Sequence, residues 1–230
     1  MSNDSDNSLL TNLAGAALIS FHLLLSPLLR TYRACWGAEL DDLLHKLPGD
    51  DLVTHARWEF THAITINAPT AEVWSWLVQI GVGRGGLYSY EGLENLAGCR
   101  MHNADDVIPA YQQLKPGDEI KIHPKAPGMR VAAVEPGHYI LVHNDNRQDG
   151  SSSYINMTWL WYLQEVSATQ TRLISRSRND YSPSLANKLW MGPLLVEPIS
   201  FVMERRMLLG IKQRAESHWM APLHWAYEKG

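Results

Sequence analysis

A few side chains in this sequence are of types that take part in chemistry, and they lie in different parts of the chain. Tyr88 and Tyr90 follow a glycine-rich stretch, where a phenolic hydroxyl can orient a polar atom of a ligand. His102 lies in the irregular stretch after them, and its imidazole can act as a general base. The plainer alternatives are a tyrosine ring packed beneath a loop with its hydroxyl in water, and a solvated loop histidine.

Alternation along residues 171–179 separates small side chains from charged ones. Ser175 and Ser177 share one face with Leu173, whereas the arginines at 172, 176 and 178 fall on the other face. Small residues on an inward face leave room for a ligand, which makes Ser175 a candidate binding residue. The arginines are then solvated, or paired with Asp180 and neighbouring strands. The alternative, arginines turned inward to hold a carboxylate, requires a break in the register of the strand.

The sequence GVGRGG at 81–86 matches the spacing G-x-G-x-x-G. A dinucleotide-binding loop must follow a strand and open a helix. The preceding residues, 69–80, have polar side chains at 72, 75 and 79, which is a helical spacing. We therefore reject the dinucleotide interpretation and expect a tight connection between this helix and a second short helix at 88–98. A phosphate nest made of the backbone amides stays open as an alternative.

Other motifs of cofactor and metal chemistry do not occur in the sequence. The ten histidines show no metal-ligand spacing, and neither a nucleophile elbow nor a P-loop is found. The net charge is −4, from 20 basic and 24 acidic residues, and no basic run is visible. Because nucleic-acid binding needs a positive surface, we expect no nucleic-acid partner, and we assign no cofactor.

Residues 9–29 form an N-terminal stretch of 21 residues without a formal charge. This length is enough to cross a bilayer, which needs about 20 residues. Acidic residues precede the stretch and Arg30 and Arg33 follow it, so a spanning segment leaves the main domain in the cytoplasm. Polar residues within the stretch favour the alternative, a helix packed on the domain or lying at the membrane surface. The two cysteines are interpreted as buried or free thiols of a reducing compartment.

The pattern in the body of the chain predicts a strand, two short helices, a run of strands and a long final helix. We expect strands at 57–66, 118–123, 129–135, 138–143, 154–165 and 171–179, a polar loop at 144–153 and a helix at 194–219. Consecutive strands joined by short turns pair antiparallel. The expected fold class is therefore α+β, with an antiparallel sheet.

Two apolar stripes are candidates for the interior of this fold. The odd positions of 154–165 are apolar and include Trp159 and Trp161, whereas the even positions include polar residues that suit solvent. On the final helix, Met203 and Met207 belong to an apolar stripe in which residues recur every four positions. These four side chains either line a ligand cavity or form an ordinary core. Glu204 is interpreted as surface charge of the helix.

Three segments resemble an uncharacterised bacterial branch of the START-like superfamily, also called SRPBCC. They are LPGDDLV at 47–53, AITINAPTAEVWSWLVQIGVGRGGLYSYEGLENLAG at 63–98 and EPISFVMERRMLLGIKQRAE at 197–216. This superfamily includes polyketide cyclase and dehydrase-like proteins and lipid-transfer domains. The resemblance implies a helix-grip fold, in which a curved antiparallel sheet wraps a long C-terminal helix and leaves a cavity between them. We divide the chain into a hydrophobic segment at 1–35, a linker with a short helix at 36–56, a START-like domain at 57–220 and a tail at 221–230.

The resemblance implies that the cavity binds a hydrophobic small molecule, such as a lipid or a polyketide-like compound, and that the protein is a carrier or a sensor. The candidate ligand-binding residues are Tyr88, Tyr90, His102, Trp159, Trp161, Ser175, Met203 and Met207. Two alternatives stay open: a cyclase or dehydratase-type enzyme that uses the same cavity, and a membrane-tethered interaction module. No clustered acid–base set is visible in the sequence, so neither catalysis nor the identity of the ligand is decided.

Overall fold

A computed structural model describes residues 2–147 and 153–228 of the 230-residue chain. Within them the helices are α1 (Ser2–Leu24), α2 (Arg30–Ala34), α3 (Leu40–Leu44), α4 (Thr70–Leu77), α5 (Glu91–Leu96), α6 (Leu185–Met191) and α7 (Val196–Glu228). The strands are β1 (Trp58–Ile66), β2 (Glu119–Ile120), β3 (Met129–Glu135), β4 (Tyr139–Asp145), β5 (Ile155–Ser167) and β6 (Gln170–Tyr181). Part of the polar loop predicted at 144–153, and the end of the tail predicted at 221–230, lie outside the described residues.

The strands form one antiparallel sheet in the order β1-β6-β5-β4-β3-β2. β5 and β6 make its longest hairpin, in which Trp161 lies opposite Ser175 and Trp159 lies opposite Ser177. The strand predicted at 118–123 is shorter than expected, since β2 has two residues. The long helix α7 packs on one face of the sheet, so the predicted α+β fold class and helix-grip architecture are confirmed.

The face of the sheet that α7 covers, here called the concave face, carries the main hydrophobic core. Side chains of alternate strand positions meet on this face. The buried set comprises Ile66, Val131, Ile140, Val142, Trp161, Leu163 and Leu173 from the sheet and Met207, Leu208 and Ile211 from α7. Trp76 and Leu77 of α4 complete the core. Because each large apolar side chain contributes about 1.5–3 kcal/mol on burial, this core fixes α7 against the sheet.

The opposite face, here called the back face, is covered by the chain that precedes β1. Leu47 from this segment packs with residues of the sheet, which are Ala63, Leu141, Leu160 and Ile174. Asn156 and Thr158 of β5 lie on the back face and are only 2% and 3% exposed. The prediction that the even positions of this strand face solvent is therefore wrong for Asn156 and Thr158, whereas Gln164 is exposed as expected. Alternation distinguished the two faces of the strand correctly, but it carries no information about a segment that folds over one of them.

The arginines of β6 lie on the back face and bind carboxylates of the covering segment. Arg172 Nη2 is 2.5 Å from Asp42 Oδ2, and Arg176 Nη1 is 2.6 Å from Asp50 Oδ2. The arginine side chains are 12% and 8% exposed, so these ion pairs are largely buried. Asp180, the partner expected from the sequence, binds a different arginine. The β6 arginines therefore tie the covering segment to the sheet, and the inward orientation that would hold a ligand carboxylate is not formed.

The glycine-rich stretch 81–86 is a tight turn between α4 and α5, as predicted. The amide of Gly81 donates to the carbonyl of Gly86 at 2.8 Å, and the reverse bond measures 3.1 Å. Both residues, at φ 122° and 82°, lie in the left-handed region that glycine adopts without a Cβ clash. Backbone carbonyls accept hydrogen bonds from the amides of Gly81, Val82, Arg84, Gly85 and Gly86. These amides are therefore not free to bind a phosphate.

Helix α1 packs on the outside of the grip against α7 and α5. A Cβ on Gly15 would lie only 2.7 Å from the Tyr90 ring, and Asn12 Oδ1 accepts a hydrogen bond from the amide of Leu93 at 3.2 Å. The helix ends at Leu24, so the uncharged stretch 9–29 is not one continuous helix. No helix within residues 2–147 and 153–228 combines the length and apolar character that a bilayer crossing requires. The packing of α1 agrees with the alternative of a helix packed on the domain.

Residues 33–37 lie along the outer edge of β1. The amide of Ala63 donates to the carbonyl of Trp36 at 3.1 Å, outside the ladder that β1 makes with β6. Gly37 makes this approach possible, since a Cβ there would lie 2.1 Å from the carbonyl oxygen of Ala63. His62 adds a side-chain contact, with its Nε2 atom 2.6 Å from the carbonyl oxygen of Arg33. This edge of the sheet is therefore partly covered by the chain's own backbone.

Candidate ligand-binding site

The concave side of the sheet contains a buried carboxyl group, that of Glu204 on α7. Glu204 shares a helix face with Phe201, Leu208 and Ile211, because residues three, four and seven apart lie on one face. That face packs on the sheet, and Glu204 is 5% exposed. A carboxylate is costly to bury in an apolar core, so the group must be neutral or well bonded.

A chain of hydrogen bonds links Glu204 to the β5–β6 hairpin. The hydroxyl of Ser175 donates to Glu204 Oε1 at 2.5 Å, and the indole N–H of Trp159 donates to Ser175 Oγ at 2.9 Å. Trp159 reaches Ser175 diagonally, since its direct partner across the hairpin is Ser177. The hairpin register thus places an indole and a hydroxyl beside the carboxyl group of α7.

The protonation of Glu204 follows from its surroundings. Burial raises the pKa of its carboxyl group to about 8, while the hydrogen bonds from Ser175 and Trp159 act in the opposite direction with smaller effect. At pH 7 the folded protein therefore holds a neutral carboxylic acid at this position. Such a group carries a proton that it can donate to an acceptor.

Trp161 supplies a second polar group on the concave face. Its side chain is fully buried, and its indole N–H has no hydrogen-bond partner within the described part of the chain. Its ring packs on that of Trp159 with centroids 4.3 Å apart. An unsatisfied buried N–H is costly, and an acceptor atom placed beside it removes that cost.

The concave face is open at one end and closed at the other. Along β5, Trp161 and Leu163 are fully buried, whereas Met157 and Trp159 are half-buried and Ile155 is exposed. We call the open end, formed by Met157 and Trp159, the mouth. Solvent reaches the indole of Trp159 at the mouth. Ser175 links this indole to Glu204 by hydrogen bonds, so Glu204 lies directly behind the mouth.

Tyr88 is buried in the core rather than at Glu204. Its hydroxyl accepts a hydrogen bond from Gln79 Nε2 at 2.8 Å and donates to the carbonyl of Trp76 at 3.2 Å. Burial raises the pKa of Tyr88 to about 12. Both hydrogen-bonding functions of the hydroxyl are occupied by the protein, so a packed ring describes Tyr88 better than a ligand contact.

The other residues expected at a ligand site are distributed over three places. Tyr90 and Met203 belong to a cluster with Phe201 and Val202, which does not include Ser175. Met207 belongs to the central core. His102 is on the surface with its side chain 87% exposed, and its Nδ1 is 3.6 Å from a carboxylate oxygen. Of the candidate residues, the structure brings Trp159, Trp161 and Ser175 together.

Glu204 is the residue of this cluster that sequence reasoning assigned elsewhere. It stands in the sequence Glu-Arg-Arg, which is typical of a solvated helix surface. Its spacing to Phe201, Leu208 and Ile211 places it on an apolar face of α7 instead. This spacing is the pattern that could have identified Glu204 as a buried residue.

Glu204 lines neither of the two cavities described here. One, of about 500 Å³, lies between α1, α2 and α7. The other, of about 480 Å³, lies beside β1 and β6 and is bordered by residues 34–50. At Glu204 the concave side is filled by side chains of the core, rather than open as the resemblance implied. A ligand that reaches Glu204 must therefore displace the indole of Trp159.

The described residues contain no cluster of metal ligands. Within residues 2–147 and 153–228, no three His, Cys, Asp or Glu side chains are placed to hold one ion. The hydrogen-bonding groups at the mouth are a carboxylic acid, a hydroxyl and indole N–H groups. They suit an organic ligand with an acceptor atom and a flat apolar body.

The antiparallel sheet and the long helix on its concave face define a helix-grip fold, and the polar cluster of Glu204, Ser175 and Trp159 lies between them. Comparison with family models gave no match, and no curated protein matched the sequence. Solved structures do match. A conserved protein from Geobacillus kaustophilus is 14% identical over 70% of this chain and 97% of its own, with a TM-score of 0.40.

Two further solved structures illustrate the same level of similarity. The Zhui aromatase/cyclase from Streptomyces sp. R1128 is 16% identical over 73% of this chain and 98% of its own, with a TM-score of 0.34. A hypothetical protein from Helicobacter pylori is 11% identical over 74% of this chain and 95% of its own, with a TM-score of 0.42. At these values the similarities carry no argument about ligand or reaction, which must come from the residues themselves.

Proposed function

We propose that this protein binds a small hydrophobic molecule in its helix grip, as a carrier or a sensor, with one acceptor atom of that molecule at Glu204. The observation that carries the proposal is a buried carboxyl group, neutral at pH 7, on the concave face and behind a half-buried tryptophan. A leucine at this position would pack without any cost of desolvation. A carboxylic acid at this position is therefore better explained by recognition of a ligand than by a contribution to the stability of the fold.

The chemistry of the cluster indicates what the ligand must offer. Glu204 and Trp161 both present donors, so the ligand needs a carbonyl, ether or hydroxyl oxygen. The paired indoles of Trp159 and Trp161 present flat apolar surface, which suits a ring system or a planar unsaturated chain. A polyketide-like compound and some lipids have both features.

Native mass spectrometry of the purified full-length protein, followed by organic extraction, tests whether a ligand accompanies it. Titration with Nile red, a neutral dye with a carbonyl group, then measures the affinity of the site. We expect Glu204→Leu to weaken dye binding by about tenfold, the value of one hydrogen bond in a buried site. His102→Ala, a change at an exposed side chain, is the matched control and should bind like the wild type. Equal affinity of Glu204→Leu and wild type would exclude Glu204 from the site.

A second candidate function, a cyclase or dehydratase-type enzyme, is favoured by the protonation of Glu204. A carboxylic acid that stays neutral at pH 7 can polarise a ligand carbonyl or protonate a departing hydroxyl. Turnover would then fall as pH rises through about 8, because the acid loses its proton. Glu204→Gln keeps a donor without a transferable proton, so it should retain binding and lose turnover. A variant with unchanged turnover would rule out general-acid catalysis by Glu204.

A third candidate, a membrane-tethered interaction module, is favoured by the outward face of α1. Its exposed apolar side chains include Leu9, Leu10, Leu13 and Leu24. Such a face can lie in a membrane interface without crossing the bilayer. Co-sedimentation with phosphatidylglycerol vesicles tests this contact and, with it, the proposed attachment of a cytoplasmic domain to the membrane. Loss of sedimentation is expected for Leu9→Ser/Leu13→Ser, and the contact is refuted if the wild type stays in the supernatant.

A further inference from the structure

The cavity between α1, α2 and α7 lies outside the grip and has a distinct chemical character. Its volume of about 500 Å³ falls within the range of about 300–1,000 Å³ found for small-molecule sites. The apolar part of the wall is formed by Leu18, Phe21, Leu29, Tyr32, Phe201 and Val202. The polar part is formed by His22 and Arg205. Phe201 also contacts His62 of the concave face, with ring centroids 5.5 Å apart, and so stands between this cavity and the sheet.

His22 is a buried polar group on the cavity wall. It is 5% exposed, and its Nδ1 atom has no hydrogen-bond partner among the described residues. The ring is fixed by aromatic contacts, with centroids 4.9 Å from Phe201 and 6.3 Å from Tyr32. Burial, together with the charges of Arg33 and Arg205, lowers the pKa of His22. The imidazole is therefore neutral at pH 7, and its Nδ1 atom is buried and unmatched at the cavity wall.

Two guanidinium groups lie at this part of the wall, and of these Arg33 is behind the lining residues, near His22, rather than among them. Arg33 is 3% exposed, and its Nη2 donates to Ser26 Oγ at 3.0 Å, while Nε and Nη1 have no partner in the described part of the chain. Arg205 borders the cavity directly. The carboxylate of Glu197 is held by Arg30 at 2.9 and 3.1 Å, so it does not satisfy the free N–H groups of Arg33. A buried cation with unmatched donors is unfavourable until an anion reaches it.

We propose that this cavity binds an amphipathic monocarboxylate, of the chemical class of a fatty acid. The carboxylate is held near His22, Arg33 and Arg205, and the alkyl chain lies along the apolar wall. The proposal does not depend on Glu204, which is not among the residues that line this cavity, so either site can exist without the other. Binding here also joins α1 and α2 to α7, and it should therefore stabilise the folded chain by mass action.

Three probes separate the contributions of charge and chain. The full-length protein is titrated by calorimetry with dodecanoate, with dodecanol as the uncharged analogue and with acetate as the head group alone. We expect dodecanoate to bind at least about tenfold more tightly than dodecanol, because charge-assisted hydrogen bonds to the head are lost in the alcohol. Acetate should show no measurable binding. Equal affinity for dodecanoate and dodecanol would overturn the proposal.

Two substitutions test whether dodecanoate binds in this cavity. Leu18→Trp fills the cavity from its rim, where Leu18 is 37% exposed, and should abolish dodecanoate binding while the chain still folds. Arg33→Met removes the buried guanidinium and should weaken binding by about tenfold or more. Leu96→Trp, at a side chain that is 87% exposed on α5, is the matched control and should bind normally. Thermal unfolding verifies that each variant is folded, and full affinity in Leu18→Trp would refute the site.

Glu204→Leu distinguishes this inference from the proposed function. It should leave the affinity for dodecanoate within twofold of the wild type and weaken Nile red binding. If Glu204→Leu abolishes dodecanoate binding, the fatty acid occupies the grip and the separate site is refuted. If Nile red binding is unaffected while Leu18→Trp abolishes dodecanoate binding, the proposed function fails and the separate site stands.

Discussion

The substitution Glu204→Gln tests the electrostatics of the concave face most directly. Glutamine keeps the size of the side chain and its bond to Ser175, and it removes one titrating group. Burial raises the pKa of Glu204 in the folded protein from its ordinary value of 4.5 to about 8. The bound proton therefore stabilises the fold. This contribution is complete below about pH 4.5 and is lost as pH rises through about 8.

The size of the effect follows from proton linkage. Each pH unit between the two pKa values lowers the free energy of unfolding by about 1.4 kcal/mol. From pH 4.5 to 7 the wild type thus loses about 3 kcal/mol relative to Glu204→Gln, and on the order of 4 kcal/mol by pH 8. Above about pH 9 the carboxyl group is ionised in both states, and the difference stays constant.

Urea unfolding of both proteins, at steps between about pH 4 and 9, measures this difference. The buried carboxyl group of Glu94, whose pKa is raised to about 7 by burial, titrates in both proteins and cancels in the comparison. His102→Ala serves as a control that should follow the wild-type curve. A wild-type curve parallel to that of Glu204→Gln from pH 5 to 8 would show that Glu204 ionises normally and would refute the neutral-acid description.

Three further predictions concern the elements around the site. Gly86→Ala should lower the free energy of unfolding by more than about 2 kcal/mol, because its φ is 82° and a Cβ would lie 2.6 Å from a backbone oxygen. Asp50→Ala leaves the guanidinium of Arg176 buried without its carboxylate, and should cost about 3–5 kcal/mol in urea unfolding. Gly15→Leu should push α1 away from Tyr90, seen as faster chymotrypsin cleavage within α1.

Each of these predictions has a matched control in the chain. Gly83 also has a positive φ, of 72°, but a Cβ there meets nothing within 4 Å, so Gly83→Ala should cost clearly less than Gly86→Ala. Asp145 binds an exposed arginine, and Asp145→Ala should change stability little. Ala17→Leu lies on the exposed side of α1 and should leave cleavage unchanged. Equal effects within any pair would contradict the structural reason given for it.

The elements that position the site were predictable from local patterns. Alternation in β5 placed Trp159 and Trp161 on one buried face, and alternation in β6 placed Ser175 on the same side. The helical spacing before Gly81 excluded a dinucleotide-binding loop, and the tight turn that closes on Gly86 agrees with that conclusion. Each of these predictions rests on a pattern of side chains that repeats every few residues along the chain. Tertiary contacts did not change the local structure that this pattern predicts.

The features that sequence reasoning missed depend on contacts between distant segments. Asn156 has a polar side chain that suggests solvent, yet it is buried because its amide donates to the carbonyl of Leu52 at 3.2 Å and its Oδ1 lies 2.9 Å from His143 Nε2. Glu204 has a charged side chain that suggests a surface, yet burial and the bond to Ser175 keep it neutral. In both cases a partner far along the chain satisfies the polar group, and no local pattern identifies that partner.

The backbone bond from Ala63 to Trp36 has a consequence for how copies of this protein behave toward one another. A nine-residue outer strand with free amides and carbonyls is a template for intermolecular strand addition. The segment that ends at Gly37 runs alongside β1 and occupies part of this edge, so it reduces aggregation by strand addition. Trimming the chain to begin at β1 should therefore produce oligomers or fibres, because it uncovers this edge together with the back face that Leu47 covers.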